Sequence, residues 1–296
     1  MKAILVPTDF SPVALSAIDV AVKISKRADG QIILLHVIEG PWEGSFNVEG
    51  EVAKPSWDNK LFELKLIETA RTKLYRLTDQ LKEKGISVIP VLRLGDPFHG
   101  IQTVINEQQA DLIVMGTNGR HGYRDRPVGT NAEKVVRRSS CPVLAVSRDQ
   151  KDNEFKSIVY PTMLRDEEES AIDLLKNTQK MFGALIHVVR INTPGLFEPD
   201  YKLVEKMSAF ARKMKLQDYS LNTYNDLTEE SGIVQFSSSI KADLIIMGTH
   251  ARTALSYILS GSITEDVVNH SSVPVLTCHL KLNKHKVKAL PAPFNF

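Results

Sequence analysis

Ala110-Asp111-Leu112-Ile113-Val114-Met115-Gly116-Thr117 returns almost letter for letter as Ala242-Asp243-Leu244-Ile245-Ile246-Met247-Gly248-Thr249. Each copy is a short, unbroken apolar run ended by a glycine. Such a run suits a strand covered on both faces, which is the condition of a parallel sheet. Working outward, Lys2-Ala3-Ile4-Leu5-Val6-Pro7-Thr8 matches Lys156-Ser157-Ile158-Val159-Tyr160-Pro161-Thr162, and Cys141-Pro142-Val143-Leu144 matches Val273-Pro274-Val275-Leu276. Between these, Leu34-Leu35-His36-Val37-Ile38 pairs with Leu185-Ile186-His187-Val188-Val189, which sets His36 and His187 at matching strand positions. Four matches in one order indicate duplication. The polar run Arg148 to Glu154 is the exposed joint between the copies.

Within a copy, apolar runs alternate with amphipathic stretches. Residues 3–7, 31–38, 86–92, 111–115 and 142–147 read as strands, and 157–161, 184–190, 218–224, 243–247 and 274–278 as their counterparts. Ser11 to Ala28 places Ala14, Ala17, Ile18, Ala21 and Val22 at helical spacing, with Ser11 and Pro12 suited to its cap and first turn. Leu61 to Lys84, Phe98 to Gln108 and Thr130 to Arg138 are further helices. The expected fold class is α/β, with two tandem doubly wound parallel-sheet domains. The expected division is 1–148, a linker at 149–154, a second domain at 155–280 and a tail at 281–296. Gly40 to Asn59, with Trp42, Phe46 and Trp57, is an aperiodic insertion, read as a surface loop in preference to a lid.

With 43% hydrophobic and 24% charged residues, the chain has the composition of a globular protein with a buried core. A net charge of +2 gives no global field for nucleic acid. Neither a signal peptide at Met1 to Pro7 nor an apolar run of the ~18 residues a membrane helix needs is present, so a cytoplasmic location is expected. Cys141 and Cys278 are too few for a disulfide framework and read as small apolar residues at strand ends. The histidines lack ligand-type spacing, so no metal ligand is assigned among them. The Lys281, Lys284, Lys286 and Lys288 tail is a solvated or docking segment in preference to a basic binding arm.

Ligands of open α/β sheets sit beyond the carboxyl ends of strands where the strand order reverses. After the first strand comes Pro7-Thr8-Asp9-Phe10-Ser11; after the fourth comes Gly116-Thr117-Asn118-Gly119, then nine residues, then Gly129-Thr130 opening a helix. Glycines let backbone approach a ligand and adopt positive φ, and a helix N-terminus presents unpaired N–H groups to an anion. Thr130 and Asn131 add polar groups, and Arg120, His121, Arg124 and Arg126 offset polyphosphate charge or form a solvated surface. Thr130-x-x-Glu133 also matches a capping box, a role compatible with phosphate binding. Asp9 suits an acceptor for a base or ribose, or a cap of the first helix, a need that Ser11 already fills.

Gly-x2-Gly-x9-Gly-Thr, followed by a helix and a Pro-Val-Leu strand, resembles the ATP-binding signature of the universal stress protein family. Pro7-Thr8-Asp9-x-Ser11, Leu35-His36-Val37-Ile38 and Gly95-Asp96-Pro97 look like the same family, in its tandem form. The resemblance implies five-stranded domains of order 3-2-1-4-5, like the adenine nucleotide α-hydrolases, and a stress-response or regulatory role. It implies that Asp9 and the backbone of Val37 hold adenine and ribose. Gly116, Gly119, Gly129 and Thr130 would hold phosphates, bridged by a divalent metal (Mg2+ or Mn2+). Asp125-Arg126-Pro127-Val128 departs from the family's leucine-rich loop. In copy two, Met163 stands for Asp9 and Ala251 for Gly119, so weak or absent ATP binding is expected there. Family domains pair through their last strands, so an internal pseudo-dimer is expected, with homodimerisation and unknown protein partners left open. The loop after the first strand is not that of a nucleotidyl transferase or ATP pyrophosphatase, and no general base sits beside an activated nucleophile. The expectation is a binding protein with at most slow ATP hydrolysis; a module that uses no nucleotide is the alternative.

Overall fold

The computed structural model describes residues 1–39, 57–117, 130–147, 150, 154–165, 168–250 and 263–280. The first half alternates β1 (Ala3–Pro7), α1 (Pro12–Ala28), β2 (Gln31–Ile38), α2 (Trp57–Glu83), β3 (Val88–Leu94), α3 (Pro97–Gln108), β4 (Leu112–Gly116), α4 (Thr130–Arg138) and β5 (Val143–Val146). The second half follows with β6 (Ser157–Pro161), α5 (Glu169–Phe182), β7 (Leu185–Asn192), α6 (Asp200–Lys213), β8 (Tyr219–Asn225), α7 (Glu229–Ser239), β9 (Leu244–His250), α8 (Ile263–His270) and β10 (Val275–Leu280).

The helices start and stop where local chemistry directs. Ser11 Oγ accepts from the Ala14 N–H and Pro12 opens α1, while Asp29 closes it in the left-handed region. Asp96 caps α3 through the His99 N–H at 2.8 Å, again with a proline next. The repeated Ala-Asp-Leu has a structural purpose. Asp111 Oδ2 accepts from the N–H groups of Lys2 and Ala3, at 2.7 and 3.0 Å, and Asp243 Oδ2 accepts from Lys156 and Ser157 at the same distances. Each carboxylate thereby ties the first strand of its half to the fourth.

Ten strands form one sheet in the order β3-β2-β1-β4-β5-β10-β9-β6-β7-β8, so each half has order 3-2-1-4-5. Pairing is parallel within a half and antiparallel at the seam, where Ala145, Leu144 and Val143 of β5 face Val275, Leu276 and Thr277 of β10. Alternate residues point to opposite faces. Ile4, Val6, Ile32 and Leu34 join α1 and α2 in one core; Leu5, Ile33, Leu35 and Ile113 join α3 and α4 in the other. Both cores run through the seam into the second half. Phe155, which begins that half, is fully buried with its ring 5.0 Å from that of Phe182.

Three expectations need correction. Trp57 to Asn59 belong to α2 and not to the insertion, whose residues 40–56 lie outside the described residues, as does the tail 281–296. β3 runs two residues later than expected, because the chain first closes α2 through Gly85 at φ +76°. His36 and His187 are not equivalent. Pro7 faces Leu35 while Pro161 faces Val189, so His36 corresponds to Arg190 and His187 to Ile33. A three-residue offset reverses the face, and the short Leu-x-His-Val match concealed it. Among the described residues no helix is long and apolar enough to cross a membrane.

The Asp111 carboxyl is pushed up by burial, but the N–H groups of Ala3 and Lys2 outweigh this and hold it below the ordinary carboxylate range. Its contribution to stability is therefore present above about pH 4 and lost as pH falls through the depressed value. Asp111→Ala and Asp243→Ala should each cost about 1 kcal/mol, additively because they sit in different halves. Denaturant unfolding at pH 7 measures this, and for Asp111→Ala the deficit should shrink as the pH is lowered toward 3.

Candidate functional site

β1 lies at the centre of the first half, with β2 on one side and β4 on the other. From β1 the chain leaves through α1 toward β2, whereas β4 is entered through α3 from the opposite face. The carboxyl ends of β1 and β4 are thus the switch point of this sheet, the place where open α/β sheets take their ligands. Parallel crossovers run antiparallel to the strands, so the N-terminus of α4 is at this same end.

The turn that leaves β1 is tightly braced. Thr8 donates its N–H to Leu35 O at 2.8 Å, and its hydroxyl accepts from the Phe10 N–H at 3.1 Å. Phe10 is left-handed at φ +62°, an uncommon state for a bulky side chain. Its ring lies 4.5 Å from that of His36, whose Nδ1 is 2.7 Å from Thr8 O. Because a carbonyl only accepts, Nδ1 carries the proton. Asp9 is half-buried beyond the strand, and its Oδ1 accepts from the Ser11 N–H at 3.0 Å. Ser11, not Asp9, caps α1; Asp9 stabilises the turn preceding it.

Val37 owes its orientation to register. Odd residues of β2 bond toward β1: Gln31 donates to Lys2 O, and Leu35 O accepts from Thr8. Val37 is next in this series, but β1 has ended at Pro7, opposite Leu35. The Val37 main chain therefore faces the β1 side beyond the end of that strand, at the switch point. Its side chain points the other way, under α3, where a Cβ on Gly100 would lie 3.0 Å from Val37 Cγ2. Gly100 is a residue sequence reasoning passed over; its signal was a glycine inside a helix.

Gly116 ends β4 for a reason other than the positive φ expected of it. A Cβ there would lie 2.7 Å from Val13 Cγ1 and 3.0 Å from the Val13 carbonyl carbon. The missing side chain lets the first turn of α1 settle onto β4, which brings the Thr8–Ser11 turn beside Gly116–Thr117. Asn131 is half-buried in the first turn of α4, and Thr130 is that helix's first residue. Gly119, Arg120, His121, Arg124, Arg126 and Gly129 lie outside the described residues, as does the side chain of Thr130. The structure thus sets Asp9, Val37 and Gly116 at the carboxyl ends of the neighbouring strands β1, β2 and β4, with Asn131 in the first turn of α4.

The second half repeats the backbone of this turn and changes its side chains. Thr162 donates to Val189 O, its hydroxyl accepts from Leu164 N–H, and Leu164 has φ +59°, matching Thr8 and Phe10. Met163 occupies the place of Asp9, and its Sδ accepts from Arg190 Nη1 at 2.9 Å. Arg190 also pairs with Glu229 at 3.2 Å. The buried Glu168 carboxylate accepts from Tyr160 Oη, Thr162 Oγ1 and the N–H groups of Met163 and Arg165, at 2.8, 2.7, 3.2 and 3.0 Å. Burial, together with Glu168, pushes the Tyr160 phenol well above its ordinary value, so it stays a donor. On the β9 side, pairing with β10 continues to His250 opposite Leu280, and Leu280 Cδ2 lies 2.5 Å from where a Cβ on Gly248 would be. Ala251, Gly261 and Ser262 lie outside the described residues.

The profile of the universal stress protein family matches residues 1–147 and again 154–279. A universal stress protein of Methanocaldococcus jannaschii is 32% identical over 157 residues, 51% of this chain and 85% of that protein. One from Synechocystis is 22% identical over 295 residues, covering 94% of this chain and 99% of its own length. Among solved structures, a universal stress protein from Archaeoglobus fulgidus superposes with a TM-score of 0.72 at 20% identity, covering 94% of this chain and 96% of the other. That likeness speaks for the fold.

The two terminal glycines face different obstacles. At Gly116 the obstacle includes Val13 backbone, which cannot swing aside; at Gly248 it is the side chain of Leu280. Gly116→Ala should cost about 2–3 kcal/mol and Gly248→Ala about 1 kcal/mol. Thermal unfolding of the two variants decides this, equal losses counting against the assigned packing roles.

Proposed function

Since this chain belongs to the universal stress protein family, once in each half, we propose that it is an ATP-binding regulatory protein. Its N-terminal half takes the nucleotide at the switch point between β1 and β4. The observation that carries this reading is the Val37 main chain, turned to the switch point beyond the end of β1, where the half-buried Asp9 follows that strand. A strand edge with one free N–H and one free C=O suits the donor–acceptor edge of adenine, and a short carboxylate beside it suits a ribose hydroxyl.

The polyphosphate falls to the Gly116-x2-Gly119-x9-Gly129-Thr130 segment, with Asn131 on α4 and Arg120 as a charge partner. The dipole and unpaired amides of the α4 N-terminus favour an anion there. A divalent cation supplies neutralisation of the phosphates when bound. Nothing in this arrangement demands turnover: the residues bind and orient, and occupancy is the signal that partners read in a stress response.

The second half takes no nucleotide in this reading and acts as the internal partner of the first. Met163 offers a thioether where a carboxylate is required, and Glu168 already takes the turn amides of Met163 and Arg165. Placing the negative charge of Glu168 in that turn also opposes an incoming anion.

Isothermal titration of the full chain with Mg-ATP should give one site per chain. Asp9→Ala should weaken it at least tenfold, the loss of about 1–3 kcal/mol expected when a polar ligand group goes unmatched. Met163→Ala should leave the affinity as it was. Two equivalent sites, or no heat at millimolar ATP, would refute the assignment.

A further inference from the structure

We propose that the outer edge of β8 is a self-association surface, on which a second copy of this chain adds its own β8 in antiparallel pairing. Fusing the halves at β5 and β10 leaves the sheet two ends, β3 and β8. Edges with unpaired N–H and C=O groups invite another strand unless something blunts them.

The two ends are treated differently, and register shows how. On β3, Ser87 O accepts from Ile32 and Gly95 N–H donates to Ile38 O, so odd residues bond inward to β2. The even residues Val88, Pro90, Leu92 and Leu94 therefore face outward. Pro90 removes the N–H in the middle of that edge, and Arg93 adds a charge, paired with Glu107. On β8, Asp218 O accepts from Ile186 and Asp226 N–H donates to Asn192 O, so even residues bond inward to β7. Tyr219, Leu221, Thr223 and Asn225 present their N–H and C=O groups outward, and among the described residues nothing pairs with them. The register Ile32 to Val88 against Ile186 to Tyr219 makes Leu221 the counterpart of Pro90. The edge that one half blocks, the other leaves open.

A second copy is the occupant this edge fits. Tyr-Ser-Leu-Asn-Thr-Tyr-Asn carries no charge, so two of these strands meet without like-charge repulsion along their length. Antiparallel pairing about a two-fold axis satisfies the outward groups of both strands at once, as the β5–β10 seam does inside the chain. The blocked β3 edge makes the contact isologous, and assembly closes at two copies instead of running on as a fibre. A stable dimer needs about 1,000 Å² or more of buried surface, beyond what strand edges supply. Exposed apolar side chains stand on the adjoining elements: Tyr201 and Val204 on α6, which packs on β8, and Leu227 just past the strand at 81% exposure.

Sedimentation equilibrium of the full chain from low to high micromolar concentration tests this. A monomer–dimer equilibrium is expected, with the Leu221 and Thr223 amides exchanging hydrogen more slowly in concentrated samples. Leu221→Pro, which copies the blocked edge, should weaken the dimer at least tenfold, since the hydrogen bond is lost once from each strand. Thr223→Lys, which leaves the backbone donors in place, should do the same through charge while circular dichroism remains native. A chain monomeric at every concentration, a dimer indifferent to both variants, or assembly beyond two copies overturns the proposal.

Discussion

Antiparallel pairing of β5 with β10 governs the rest of this molecule. Three residue pairs at the seam turn two five-stranded sheets into one of ten and make both hydrophobic cores continuous from end to end. The last strand of an isolated half would expose its hydrogen-bonding edge; here each half covers the other's. Thr277 Oγ1 reinforces the seam by donating to Val143 O, and Ser147 Oγ donates to Ser272 O at 2.6 Å. The burial of Phe155 among residues of both halves makes the start of the second half part of the shared core.

The two halves differ most at the turn that follows their first strand. In the first half the turn after β1 keeps a carboxylate at its mouth and main-chain groups of β2 turned toward it. In the second, the same turn, with the same threonine brace and the same left-handed residue, is filled by its own chain. Glu168 binds its amides, Arg190 spans Met163 and Glu229, and Leu280 covers Gly248. The fold tolerates this because backbone geometry of the turn is set by Thr162 and Leu164, not by the side chains around it.

Much of this was legible from local chemistry. Ser11-Pro12 marked a helix start because capping needs only neighbouring residues; the Asp96-Pro97 start of α3 came from the fold. Apolar runs marked strands because both faces of a parallel strand are dry. Asp9 and Gly116 were singled out by position after strands, and they lie at the carboxyl ends of the neighbouring strands β1 and β4. Gly116, however, is required there by Val13, a contact between residues about a hundred positions apart, and no local rule announces it. Glu168 was passed over because a glutamate in an acidic run reads as solvated surface; only the fold turns it inward onto Tyr160 and Thr162. Burial, not chemistry, also governs the two thiols, pushing Cys141 up and Cys278 up to about 11.

By itself, then, the chain of residues determined the order of elements, the duplication and the family, since periodicity, capping and glycine spacing are properties of short segments. Tertiary structure alone decided register: that His36 corresponds to Arg190, and that Pro90 and Leu221 turn their main-chain groups outward. The reason is physical. Which way a strand's groups point depends on where its neighbour begins and ends, and a shift of one residue reverses every face.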